Sequence, residues 1–294
     1  MSAPPNYNPP NLPLTNTTPH HFLNPISIFS WNTTALYHQN PQSFLAKRSF
    51  LLEFLNKHQV LTLQDTHSLN TDEAEIREFA HHNNCTAFYT HRIGYKGGLL
   101  TLIKNTLIQT TKAYHSIADP EGRYHSITLH TQNGLLQIIN AYLDPASTPT
   151  RQNQLIQISK LIQPQSTAYF MGDFNFITHP HDRINTPTNQ PTTWSQTDTL
   201  ETNTLHQQFP KFSELWQPDL TYRHSMRSSR LDRCYTNLTP AYQLSFKTNV
   251  QTILLPKRTI KDPFISDHHP LSIIITHPSR SPINKIPNWV IQHP

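Results

Sequence analysis

Apolar residues along this chain gather in short runs, and between the runs they recur at three- and four-residue intervals. Residues 26–31, 60–63, 99–103, 124–129, 135–141, 168–171 and 271–275 have strand length and strand-forming composition. Residues 44–58 follow the helical period, with Leu45, Phe50, Leu51, Phe54 and Leu55 on one face. So do residues 150–162, through Leu155, Ile156, Ile158, Leu161 and Ile162. Ser68 and Thr71-Asp72-Glu73 supply capping chemistry for a third helix ending near Asn83. Strands and helices in this order predict a layered α/β domain in which helices cover sheets.

The pattern fades at both ends. Residues 1–24 and 278–294 are rich in proline and polar residues and are expected to be flexible flanks, leaving 25–277 as the folded domain. Among 294 residues only 14% are charged, and the net charge of +5, from 23 Lys and Arg against 18 Asp and Glu, reflects a shortage of acidic residues rather than a surplus of basic ones. It is compatible with a polyanionic partner and points to one only weakly. No apolar run approaches the roughly 20 residues that span a bilayer, and the N-terminus lacks the basic-then-apolar order of a signal peptide. A soluble, intracellular protein without a membrane partner is therefore expected. Cys85 and Cys234 stand far apart without companions at metal spacing, so neither a disulfide framework nor a zinc site is indicated.

Chemistry-bearing residues recur where strands end, the place where α/β proteins build their sites. Asn32, Asp65, Asn140 with Tyr142, and Asp173 with Asn175 each follow or close a strand, while Asp267 and His268 precede one. Asp65, Asp173, Asp232 and Asp267 are hard oxygen donors, which favours Mg²⁺ or Mn²⁺ over zinc. A divalent cation, a His held by a carboxylate and neutral Asn and Tyr donors suit phosphodiester hydrolysis. Taken singly, Asp and Asn after strands are ordinary turn and cap residues. Tyr142 alone also reads as a core or rim aromatic, and Asn140 as a partner for backbone groups beside a strand end.

Six stretches change that balance by their order: Trp31-Asn32, Leu63-Gln64-Asp65-Thr66-His67, Asn140-Ala141-Tyr142, Gly172-Asp173-Phe174-Asn175, Ser229-Arg230-Leu231-Asp232-Arg233 and Ser266-Asp267-His268. Together they resemble the endonuclease/exonuclease/phosphatase superfamily across the whole folded region. Phe176, Asp182-Arg183 and His269-Pro270 extend the likeness to the apurinic-endonuclease-type domain of non-LTR retrotransposons. The resemblance implies a four-layered α/β sandwich, two packed mixed β-sheets flanked by helices. It also implies Mg²⁺-dependent nicking of DNA to leave a 3′-hydroxyl, in a nuclear location; no reverse transcriptase region accompanies it here.

By the same resemblance Asp65 is a metal ligand, helped by Asn32 and Asp267. His268, oriented by Asp232, is the acid, base or phosphate contact, and Asp173 activates water or assists the leaving group. Asn175, Tyr142 and Asn140 hold the scissile phosphate, while Thr221, Tyr222 and Ser229 lie near the nucleic acid. One position departs from the family, which has Glu where this chain has Asp65. A misplacement of about 1 Å costs on the order of 10²-fold where geometry is tight. A phosphatase, an RNA deadenylase, a lipid phosphodiesterase and a weakened nucleic-acid-binding remnant are the alternatives.

Two further features have bland readings. The pairs His20-His21, His81-His82 and His179 with His181 are expected on the surface of a chain with 19 His. Gly94-Tyr95-Lys96-Gly97-Gly98 lacks a P-loop ending and predicts a hairpin turn, with Arg92 and Lys96 near the nucleic-acid backbone.

Overall fold

The computed structural model describes residues 22, 24–37, 40–244, 246–255 and 265–277. In chain order the strands are β1 (Ile26–Asn32), β2 (Val60–Gln64), β3 (Cys85–Thr90), β4 (Leu99–Lys104), β5 (Thr111–Ala118), β6 (Tyr124–Thr131), β7 (Gly134–Tyr142) and β8 (Ser166–Asp173). They continue with β9 (Arg183–Asn185), β10 (Gln190–Pro191), β11 (Ser213–Glu214), β12 (Tyr222–Arg223), β13 (Arg227–Ser229), β14 (Asp232–Thr236), β15 (Lys247–Thr252) and β16 (Leu271–Thr276). The α-helices are α1 (Pro41–Leu55), α2 (Glu73–His82), α3 (Asn105–Ile108), α4 (Thr148–Ser159), α5 (Gln196–Gln208) and α6 (Pro240–Leu244).

One six-stranded sheet runs β15-β16-β1-β2-β4-β3 and the other β11-β14-β8-β7-β6-β5; a small sheet, β10-β9-β13-β12, stands apart. Both large sheets are mixed, because β1 pairs with β2 and β7 with β8 in parallel while their neighbours run antiparallel. Parallel neighbours need a crossover, and α1 and α4 supply them. Leu51, Phe54 and Leu55 of α1 pack with Phe29, Trp31, Leu61 and Leu63 on one outer face. Leu155 and Ile158 of α4 pack with Ile139 and Phe170 on the other. Between the sheets lies a third cluster that includes Ile28, Val60, Ile138, Met171 and Ile273. The result is the four-layered sandwich expected from the sequence.

The two-residue strand period explains where the site forms. In β1 the inward face reads Ile26, Ile28, Ser30, Asn32; in β2 it reads Val60, Thr62, Gln64. In β7 it reads Leu136, Ile138, Asn140, Tyr142, and in β8 Tyr169, Met171, Asp173. Antiparallel β14 delivers Asp232 to the same end, its Cα paired with that of Asp173. Every inward stripe turns from apolar to polar at one edge of the sandwich.

Behind that edge a buried network ties the sheets together. Gln64 Nε2 donates to Asn140 Oδ1 at 2.7 Å and to Ser30 Oγ at 3.2 Å. Asn140 Nδ2 donates in turn to Leu63 O at 3.2 Å and Thr101 Oγ1 at 3.1 Å.

One detail differs from the sequence expectation. Phe22, placed in the flexible N-terminal flank, is buried in the inter-sheet core, and its carbonyl accepts from Thr167 Oγ1 at 2.8 Å. The packed chain therefore reaches back at least to Phe22; the rest of the expected flanks lies almost wholly outside the described residues. The Gly of Gly172-Asp173-Phe174-Asn175 is required by packing: at φ +137°, an added Cβ would lie 1.9 Å from the Ala141 carbonyl oxygen.

Arg230, in the segment that leads into β14, is also structural. Its guanidinium is buried, holds Asp182 at 2.8 and 3.1 Å, and pairs with Glu214. Burial opposes ionisation of Asp182, but Arg230 and neighbouring N–H donors outweigh it and hold the carboxyl below its usual range. Arg230→Met is expected to cost about 3–5 kcal/mol, because it strands buried carboxylates without a partner. A urea unfolding curve displaced by less than about 1 kcal/mol would contradict this. With Asp182 depressed in the fold, its share of the stability is present above pH about 4 and lost as pH falls through the depressed value.

Candidate active site

His268 sits immediately before β16 with its ring buried. Its Nδ1 lies 2.8 Å from Asp232 Oδ2, and its Nε2 lies 3.8 Å from Asp173 Oδ2. Burial alone would push the imidazole towards neutrality, but Asp232 and Asp173 outweigh it and raise its pKa, so the ring is protonated at neutral pH. The same burial pushes Asp173 above the usual carboxylate range, with His268 pulling it back and Asp232 adding to the rise. Asp173 is held by Asn32 Nδ2 on Oδ2 at 2.8 Å and by the Asn175 amide on Oδ1 at 2.9 Å. Trp31 Nε1 donates to the His268 carbonyl at 3.1 Å, and the Tyr222 ring tilts against the imidazole at 4.9 Å. Three layers of contacts thus fix one cationic ring between two carboxylates.

Around this trio the remaining expected residues divide. Asn175 adopts the left-handed conformation, φ 53°, which Asn tolerates, and its Nδ2 donates to Leu143 O at 2.8 Å. Tyr142 is buried; burial and the carboxylates of Asp65 and Asp173 push its phenol up, so it stays a donor. Asp267 Oδ1 accepts from Thr34 Oγ1 at 2.6 Å, and Ser266 Oγ links the Asn32 carbonyl to the His268 amide at 2.8 and 3.0 Å. Asp65, at φ 50°, anchors Oδ1 on the Gly97 amide at 2.7 Å, with His67 Nε2 at 3.2 Å; Oδ2 has no hydrogen-bond partner among the described residues.

Three expected residues are engaged by the protein itself, and a fourth is buried. Asn32 turns its Nδ2 to Asp173, while its Oδ1 accepts from the Thr34 amide at 3.0 Å. Asn140 spends its carboxamide on the inter-sheet network. Thr221 Oγ1 accepts the Leu231 and Asp232 amides at 3.1 and 2.9 Å, which sets the start of β14. Ser229 is buried opposite Tyr222 in the small sheet.

Other groups at the site were not singled out in the sequence. Gly94-Tyr95 forms the predicted tight hairpin turn, closed by an Ile93–Lys96 bridge, yet it also delivers the Gly97 amide to Asp65. Arg123 lies 5.1 Å over the Tyr142 ring, with Nη1 buried and unpartnered. Lys47 is buried under the loop after β1 and donates to the carbonyls of Thr33, Thr34 and Ala35 at 2.7, 2.7 and 2.9 Å. Burial pushes its ammonium down to about 7, against Asp267 and Asp65. Three carbonyl acceptors require three N–H donors, which only the charged form has. The exposed pairs His81-His82 and His179 with His181 are surface residues as expected, and His20-His21 lies outside the described residues.

A profile of the endonuclease/exonuclease/phosphatase family matches residues 30–268, from before Asn32 through His268. The chain belongs to that family. Among solved structures it is similar to the AP endonuclease LMAP from Leishmania major, at 16% identity and TM-score 0.60 over 87% of this chain and 89% of that one. It is similar to the endonuclease domain of TRAS1, a telomere-specific non-LTR retrotransposon, at 12% identity and TM-score 0.56 over 86% and 99%. It is also similar to the 3′-5′ exonuclease NExo from Neisseria meningitidis, at 16% identity and TM-score 0.61 over 85% and 100%. A search of curated proteins finds no match. As a member of this family the chain is a metal-dependent hydrolase of phosphoester bonds.

The residues present suit the divalent cation on which the family relies. Among the described residues, the tightest group of ligating atoms is Asp173, Asp232 and His268, all within 4.8 Å of one another. Its histidine is already committed to Asp232 through Nδ1, so geometry assigns the trio to holding a proton. Asp65, whose Oδ2 has no partner among the described residues, and Asp267 supply hard oxygen donors, and no sulfur donor is among the site's residues. Asp65 and Asp267 are the residues that would hold the ion, since the expected helper Asn32 is committed to Asp173 and the Thr34 amide.

Proposed function

We propose that the chain is a Mg²⁺-dependent DNA endonuclease, with Mn²⁺ able to substitute, that nicks target DNA for a non-LTR retrotransposon in the nucleus. The observation that carries the chemical part is His268⁺, buried and hydrogen-bonded by Asp232 at 2.8 Å, facing Asp173 across 3.8 Å. DNA as the substrate is supported by the sequence resemblance.

The roles follow from protonation. Asp173, buried and raised, accepts the proton of the attacking water when ionised. His268⁺ donates a charge-assisted hydrogen bond from Nε2 to a non-bridging phosphate oxygen, which gains charge in the transition state. Tyr142 and the side-chain amide of Asn175 are neutral donors at the same oxygens, and Asp232 holds the imidazole's orientation. The bound cation contributes charge neutralisation at the phosphate. The P–O3′ bond breaks as water's oxygen bonds to phosphorus, leaving a 5′-phosphate and a 3′-oxyanion that takes a proton from solvent to give the 3′-hydroxyl.

Supercoiled plasmid incubated with purified protein and Mg²⁺ is expected to relax to the nicked form, and EDTA is expected to stop it. Cleavage of phosphomonoesters or RNA with the plasmid left intact would move the substrate elsewhere in the family; DNA binding without any cleavage would identify a non-catalytic remnant. Asp65→Glu in the same assay is expected to preserve or raise the nicking rate, since it restores the family's longer ligand. A loss beyond about tenfold would show that the Gly97 anchor has adapted the site to Asp.

A further inference from the structure

We infer that Lys47 is a positioning residue, whose ammonium braces the loop that aims Asp267 and Asp65 at the divalent cation. The inference rests on the function proposed above and adds a residue to its site. Lys47 comes from the first half of α1, yet its Nζ lies among three consecutive carbonyls, those of Thr33, Thr34 and Ala35. Carbonyls of consecutive residues converge on one point only when the backbone folds round it. Here Thr34 and Ala35 both take positive φ, 46° and 63°, which costs non-glycine residues on the order of 1 kcal/mol each.

The arch touches both carboxylates. Thr34 Oγ1, at its apex, donates to Asp267 Oδ1 at 2.6 Å and lies 3.0 Å from Ser266 Oγ. Its flanks bind the strand that delivers Asp65: the Thr33 amide donates to Gln64 O at 2.9 Å and the Ala35 amide to Asp65 O at 2.8 Å. Asp65 itself has φ 50°, so the two left-handed turns brace each other. Removing the ammonium would leave three carbonyls, two of them buried, without their donor and release the strained arch to other conformations. Asp267 and Asp65 would then have to be ordered by the ion, at the expense of its affinity.

The sign of the change in affinity distinguishes this role from simpler ones. Calorimetric titration of the full chain with MnCl₂ is expected to show at least tenfold weaker binding for Lys47→Met than for the wild type. If Lys47 acted only as a nearby positive charge, its removal would tighten Mn²⁺ binding. If it served only the fold, the melting temperature would drop while the Mn²⁺ affinity stayed put; either outcome overturns the inference. Thr34→Val keeps the β-branched shape and removes the hydroxyl with its bonds to Asp267 and Ser266. It is expected to weaken Mn²⁺ binding as well, and unchanged affinity there overturns the inference even if Lys47→Met fails to fold. A wild-type chain that binds no Mn²⁺ would overturn the metal site of the proposed function itself, whereas normal wild-type binding with unaltered variants would sink only the role of Lys47.

Discussion

Replacing His268 with alanine is expected to lower the plasmid-nicking rate by about 10²–10⁴-fold at saturating Mg²⁺, the span covered by removing one charge-stabilising donor or one positioned acid–base group. The substitution does two things at once. It removes the cation that meets the phosphate, and it leaves Asp173 and Asp232 buried and close together with no positive charge between them. The second effect destabilises the fold by several kcal/mol unless one carboxyl takes up a proton.

The two effects separate in a double variant. Asp232→Asn combined with His268→Ala is expected to recover most of the lost stability and none of the rate. Recovery of nicking in the double variant would remove His268 from the chemistry. The pH dependence has a definite sign: a histidine raised in the folded state adds stability that is full below its unfolded pKa of about 6.5, and that is lost as pH climbs through the raised value. The stability gap between wild type and His268→Ala should therefore narrow on the alkaline side.

How far the sequence exposes this site depends on whether a residue acts through its own strand or through something distant. Asn32, Asp173 and Tyr142 were legible because they terminate apolar runs, and the strand period then puts them on the inward face. Asp267 and His268 were legible because a compact polar stretch precedes the apolar run of β16. The seven expected strands form, although β3 and β5 lie at sheet edges, where half-exposed polar positions blur the alternation. Helix α5 was missed because polar groups secure it: Asp198 and Glu201 are buried against Arg183 and Arg151, which no hydrophobic period reveals.

Lys47 is hidden for a related reason. Within α1 it reads as an exposed cation, and only the fold brings the carbonyls of residues 33–35 to its Nζ. The Gly97 amide that anchors Asp65 is a backbone group, carried by no residue type. The roles of Asn32, Asn140 and Thr221 shift for the same reason. Side-chain identity showed that they belong near the site, but whether a polar atom faces substrate or protein depends on partners that the fold selects, 141 residues away for Asn32 and Asp173, 76 for Asn140 and Gln64, and 10 and 11 for Thr221 and the amides it accepts.

Asp173→Asn should be comparably damaging, with a nicking rate lowered by at least about 10³-fold, because the amide keeps the shape of the carboxylate and cannot accept the proton of the attacking water. Geometry favours this assignment over a purely structural one. Both oxygens of Asp173 are oriented, by Asn32 and by the Asn175 amide, in a site whose other carboxylate, Asp232, is committed to His268. A group oriented that firmly, yet raised in pKa by burial, is poised to gain a proton. The wild-type rate should then fall as pH is lowered through a range above the ordinary carboxylate value, where Asp173 protonates. Ionising Asp173 works against the fold above that range and leaves it untouched below the unfolded value of about 3.9, so the acid loss of activity should precede any acid loss of structure. If circular dichroism and nicking instead decline together, the acid limb reports unfolding and Asp173 is not the titrating base. An Asp173→Asn variant that still nicks within tenfold of wild type would transfer the base to another group at the same edge, with Asp267 the first to test.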